Sequence, residues 1–133
     1  MVVTYEPHHD VPAGLNLPPE VAFPEIRVRT MEDLLMDLTG RLEAMDGCLR
    51  IVPPAGGPGY LIIWQPGYFL NDNQGNLEVW DSDGKVVARV GQEITLGMGG
   101  LPGGILKEIF LREPLPAQCP EPYWLMSGIR VKP

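Results

Sequence analysis

Cys48 and Cys119 carry the most reactive side chains of this 133-residue chain, and their surroundings decide between two chemistries. A thiol poised for redox or nucleophilic work needs a depressed pKa, which a CxxC pair or a group of basic neighbours supplies. Neither cysteine has such a setting. Cys48 instead opens the run Leu49-Arg50-Ile51-Val52, and Cys119 precedes Tyr123-Trp124-Leu125. The two therefore read as a staple between neighbouring strands or as two ordinary buried thiols. As a staple, closing a loop of roughly 70 residues would stabilise the fold by about 4 kcal/mol on the chain-entropy model, and would point to an oxidising compartment.

Other groups offer weaker chemistry. His8-His9-Asp10 is the densest set of metal-ligand types, but adjacent residues of an extended segment point to opposite sides and do not close one coordination sphere. Asn71-Asp72-Asn73-Gln74-Gly75 and Asp81-Ser82-Asp83-Gly84 are rich in oxygen ligands, yet neither has the distal glutamate of a calcium loop. Both read as turns. Gly97-Met98-Gly99-Gly100-Leu101-Pro102-Gly103-Gly104 fits neither the phosphate-binding loop nor the dinucleotide fingerprint. Ser82 and Ser127 are the only serines and His8 and His9 the only histidines, so a hydrolytic triad would require the amino-terminal segment to fold back into the body. No catalytic residue, metal site or cofactor is expected. Trp64, Tyr68, Phe69, Trp80, Tyr123 and Trp124 are a large aromatic supply for a small domain, serving either its core or a ligand face.

The elements that must position these residues divide unequally. Residues 1 to 29 hold Pro7, Pro12, Pro18, Pro19 and Pro24 without sustained periodicity and read as an extended proline-rich arm. Its apolar residues Leu15, Leu17, Val21, Phe23 and Ile26 need a surface, whether of the domain, a second copy or another protein. Residues 30 to 133 read as one small domain. Thr30 and Asp33 resemble a capping box for a short helix over Met31 to Leu38. Beyond it come strand signals: Arg41 to Ala44 and Cys48 to Val52 around Met45-Asp46-Gly47, either a hairpin or one long strand bent at a glycine bulge, then Tyr60 to Trp64, apolar throughout as in a strand buried on both faces. Leu77 to Trp80 and Val86 to Val90 flank a hairpin turn at Asp81 to Gly84. A second short helix is expected near Ile105 to Phe110, and Tyr123 to Val131 as a closing strand. The predicted fold is mainly β, a small antiparallel barrel, OB-like or similar, with one or two short helices.

Charge and hydropathy narrow the partners. A net charge of -7 and a pI of about 4.7, with ten scattered basic residues, argue against nucleic acid and anionic lipid. No apolar run reaches the 18 or so residues of a transmembrane helix. Met1 to Gly14 has neither the positive start nor the apolar stretch of a signal peptide, so a cytosolic protein or a processed form is expected.

Gly47-Cys48-Leu49-Arg50, Trp64 with Pro66-Gly67, the run Asp83-Gly84-Lys85-Val86-Val87-Ala88-Arg89-Val90-Gly91, and Cys119 leading to Pro122-Tyr123-Trp124 resemble an uncharacterised bacterial family of small β-rich domains, often described as lipoproteins. The resemblance covers roughly residues 38 to 128. It implies an exported, lipid-tethered setting for many members and a Cys48 to Cys119 bridge, and it brings no activity. The expectation is a non-enzymatic interaction or accessory domain that binds a protein partner, or assembles with itself, through residues 1 to 29. The alternative is a glycan or peptide module with an aromatic face. Candidate binding residues are Tyr68, Phe69, Leu15, Leu17 and Phe23.

Overall fold

Tight turns built on left-handed residues set out the strands. In the computed structural model, which describes residues 2–5, 10–26, 28–31, 37–97, 100–101 and 111–131, strands β3 (Asp37–Met45) and β4 (Cys48–Val52) form a hairpin. Its turn residues Asp46 and Gly47 have φ of 54° and 76°. Two successive positive φ values match the twist of the flanking strands, which is why this pair closes a hairpin. The same device recurs at Gln74 and Gly75 between β6 (Tyr68–Asn73) and β7 (Asn76–Asp81). The turn at Asp81 to Gly84 then leads into β8 (Val86–Arg89), completing a three-stranded meander.

The larger sheet has seven strands. It adds β5 (Tyr60–Ile63), β9 (Glu93–Gly97), β10 (Gly100–Leu101), β11 (Tyr123–Leu125) and β12 (Ile129–Val131), in the order β10-β11-β5-β4-β3-β9-β12. Residues 93–97 and 100–101 run antiparallel to 129–131 and 123–125, from Ile94 opposite Val131 to Leu101 opposite Tyr123. Between these ladders the Gly97 N–H donates to the Gly128 carbonyl, and the Ser127 N–H to the Gly97 carbonyl. The sheet therefore curls until its first and last strands share the same pair of chain segments. The expected closing strand over Tyr123 to Val131 is there, interrupted at Met126 to Gly128.

Two expectations change. The sheet is mixed, not purely antiparallel: β11 runs parallel to β5, with Tyr123 opposite Leu61 and Leu125 opposite Ile63. Alternation of residues reports faces and not strand direction, and the long connection between these strands permits a parallel pairing. The helix over Met31 to Leu38 fails at both ends, for Met31 belongs to β2 (Val28–Met31), paired with β1 (Val2–Tyr5), while Asp37 and Leu38 open β3 opposite Gly97 and Leu96. Residues 32–36 lie outside the described residues. Leu38 packs against the main core, and that tertiary contact overrides the capping signal. Among the described residues there is no helix; residues 105–110, where a second was expected, lie outside them. No helix among them is long and apolar enough to cross a membrane.

β5 explains the core. Leu61, Ile62, Ile63 and Trp64 are all inaccessible to solvent. Because side chains alternate across a strand, Ile62 and Trp64 enter the main core with Leu42, Leu49, Ile51 and Leu96, while Leu61 and Ile63 face a second core with Ile26, Leu111, Cys119 and Leu125. A strand apolar throughout thus separates two layers, the outer one contributed by residues 22–26 of the arm and the strap formed by residues 111–119.

Candidate binding cleft between the arm and the strap

Five prolines of the arm have no N–H to donate, and residues 16–26 are held through what their carbonyls accept and their remaining amides donate. The Asn16 N–H donates to Asn71 Oδ1 at 2.8 Å, and the Asn16 carbonyl accepts from the Asp72 N–H at 2.8 Å. Further on, the Ala22 N–H donates to the Gly47 carbonyl at 2.7 Å, and the Pro24 carbonyl accepts from the Trp64 N–H at 2.9 Å. The Ile26 N–H donates to the Trp64 carbonyl at 3.0 Å. Of the surfaces open to this arm, the chain's own domain takes residues 16–26.

The strap is fixed beside it. The Arg112 N–H donates to the Glu25 carbonyl at 2.8 Å, and the Arg112 guanidinium pairs with the Glu25 carboxylate, which is 9% exposed. Cys119 is disulfide-bonded to Cys48, with Cα atoms 5.7 Å apart and both residues buried. Arg50, itself buried, donates from Nη2 to the Pro120 carbonyl at 2.8 Å. The staple is thus present, and it fits an oxidising compartment.

Between arm, strap and the start of β6 lies a cleft of about 490 Å³. Four of the five candidate residues, Leu17, Phe23, Tyr68 and Phe69, line it; Leu15 is half-buried and does not. Phe69 is 5% exposed and belongs mostly to the interior, so Phe23 and Tyr68, both half-buried, are the aromatics open to the cleft. Phe23 stacks on Trp64 with centroids 4.6 Å apart, and Trp64 meets Tyr68 at 5.8 Å. At the mouth, Leu17 and Val11 are 65% and 52% exposed, half of the large apolar residues that the described surface leaves open. Glu20, Glu25, Arg112 and Glu113 complete the site and were missed in the sequence. Pro114 and Pro116 mark an extended segment there, but nothing in the residue pattern tells what it lies against.

A buried carboxylate supports the arm from behind. Glu78, 5% exposed, accepts from Trp80 Nε1 and Asn71 Nδ2, each at 3.1 Å, and from Asn73 Nδ2 at 3.4 Å, with Arg89 Nε at 3.3 Å. The hydrogen bond from Trp80 does most to hold its carboxyl below the ordinary value, with the two asparagines and Arg89 assisting against the upward push of burial. Because Asn71 donates to Glu78 by one end and accepts from Asn16 by the other, Glu78 orients the group that anchors the arm.

The oxygen-rich segments have a local use. Asp72 Oδ1 accepts the Gly75 N–H at 2.7 Å, and Asp81 Oδ1 accepts those of Asp83 and Lys85 at 2.9 and 3.0 Å. Among the described residues no three His, Cys, Asp or Glu side chains converge as a metal would need. Ser82 and Ser127 are exposed, and His8 and His9 lie outside the described residues. No protein-family model matches the chain, and neither does any curated protein or solved structure.

Proposed function

We propose that this protein is a non-enzymatic interaction domain that receives a protein partner in the cleft between its arm and its strap, on an OB-like barrel. The observation that carries the reading is the convergence of Leu17 and Phe23 of the arm with Tyr68 of β6 around one open cleft with exposed apolar residues at its mouth. Apolar surface left open beside a formed cavity is characteristic of sites that receive another molecule.

The barrel reading is supported by strand order. Segments 37–45, 48–52, 60–63, 123–131 and 93–101 follow one another around the sheet, with the third and fourth parallel. Barrels of this kind bind oligonucleotides and sugars on the face of their second and third strands. Here the outer face of β5 is occupied by Ile26, Leu111 and Cys119, which directs binding to the margin of the arm. The charge of -7 disfavours nucleic acid. Self-assembly through residues 1 to 29 is the second form of the same reading, with the cleft of one copy taking the exposed Leu17 edge of another. A glycan stacked on Tyr68 is the alternative.

The test uses a short-peptide display library selected on immobilised protein, beside a Leu17→Ser, Tyr68→Ala variant. Enrichment on the wild type that the variant loses while remaining cooperatively folded is the expected result. Equal enrichment on both proteins would remove the cleft from consideration, and sedimentation over a range of concentrations reads self-assembly directly.

A further inference from the structure

The cleft has a charge pattern that narrows its occupant. Among its described lining residues the only cation is Arg112, and Glu25 holds it in an ion pair. Glu20 and Glu113 stand exposed on the arm and strap sides of the same cleft, and neither has a salt-bridge partner among the described residues. Phe23 of the arm and Tyr68 of β6 line the cleft, and Leu17 stands exposed at its mouth. Apolar residues and two exposed carboxylates lining one cleft are complementary to an apolar group flanked by positive charge, and mismatched to an acidic one. The walls also bear Pro18, Pro19, Pro24, Pro114 and Pro116, which have no N–H to donate, so a ladder of main-chain hydrogen bonds with an added strand is poorly served here. Recognition falls to side chains.

Resting on the cleft reading above, we infer that the occupant is a peptide segment of a partner protein that places an apolar side chain against Leu17, Phe23 and Tyr68 and a Lys or Arg beside Glu20 and Glu113. Its basic residues exchange water for carboxylates that remain partly solvated, so each contributes modestly and in a salt-dependent way. The apolar anchor supplies most of the affinity, and the two glutamates supply the choice of sequence.

The peptides selected by the wild-type protein test this directly when resynthesised with a fluorophore and titrated by anisotropy at low and high ionic strength. Expected are Lys or Arg flanking an apolar residue, weakening at high salt, and a loss of about threefold to tenfold in affinity for Glu20→Gln, Glu113→Gln with an unchanged unfolding temperature. Selected peptides that lack basic residues, or that bind the double glutamine variant as tightly, overturn the charge assignment while leaving the cleft as a peptide site. No selection above a blank surface overturns both, as does Tyr68-dependent capture of uncharged glycans in place of peptides.

Discussion

Glu78 is the residue whose ionisation should matter most to stability. Its folded pKa is lowered, so its contribution is complete above the ordinary carboxyl value of 4.5 and is lost as pH falls below that value through the folded one. The unfolding midpoint of the wild type should drop over this acid range more steeply than that of Glu78→Gln. At neutral pH the glutamine variant should be less stable by about 1 to 3 kcal/mol, since its amide turns a donor toward Trp80, Asn71 or Asn73; parallel slopes for the two proteins would refute the assignment. Gly47 makes a second case. At φ 76° a side chain is strained, and a Cβ there would stand 2.7 Å from the Glu20 carbonyl, whereas Gly75, at φ 90°, has nothing within 4 Å. Gly75→Ala should cost about 1 to 2 kcal/mol of backbone strain. Gly47→Ala should cost more and also speed hydrogen exchange of the Ala22 amide, which the Gly75 variant should leave alone. Met45-Asp46-Gly47 marked Gly47 as the glycine of a hairpin or of a bulge, but the approach of Glu20 was not legible, because contact between segments leaves no mark in local pattern. The same holds for Glu78, an unremarkable alternating residue until Asn71, Asn73 and Arg89 are brought around it.

Among the elements, the hairpin at β7–β8 announces itself, whereas β6, whose Asn71 to Asn73 read as part of a turn, and the docked segments do not. The β3–β4 and β7–β8 turns and the doubly buried β5 follow from glycine placement and from an unbroken apolar run, both local properties. The strap over residues 111–119 and the path of the arm follow from what they cover, so proline content marked the arm as extended without marking its seat. Ile26 measures that seat: it is 1% exposed in the second core, and Ile26→Ala should destabilise the protein by about 2 to 5 kcal/mol in guanidinium unfolding. Stability within 1 kcal/mol of wild type would mean that the arm rests on the domain without supporting it. The Cys48–Cys119 bridge secures the strap from the other side. Comparing unfolding with and without a dithiol should reveal a loss approaching about 4 kcal/mol, the chain-entropy value for a separation of 71 residues.

For the molecule as a whole, order around the sheet departs from order along the chain. The β3–β4–β5 portion is made of neighbours, yet its remaining partners come from residues 93–101 and 123–131, and β5 pairs with a strand some 60 residues further on. The mainly β class was readable from short strand runs bounded by turn residues, while the parallel seam was not, since a residue pattern carries no direction. This arrangement has a consequence for biosynthesis. During synthesis at roughly 5 to 20 residues per second, Cys48 leaves the ribosome about 4 to 14 s ahead of Cys119. From their own emergence until residues 111–125 follow, Leu61 and Ile63 have the arm's Ile26 but neither Leu111 nor Leu125 to cover them. The nascent chain therefore presents a lone thiol next to an apolar strand, and the cell has to guard both until the last segment arrives.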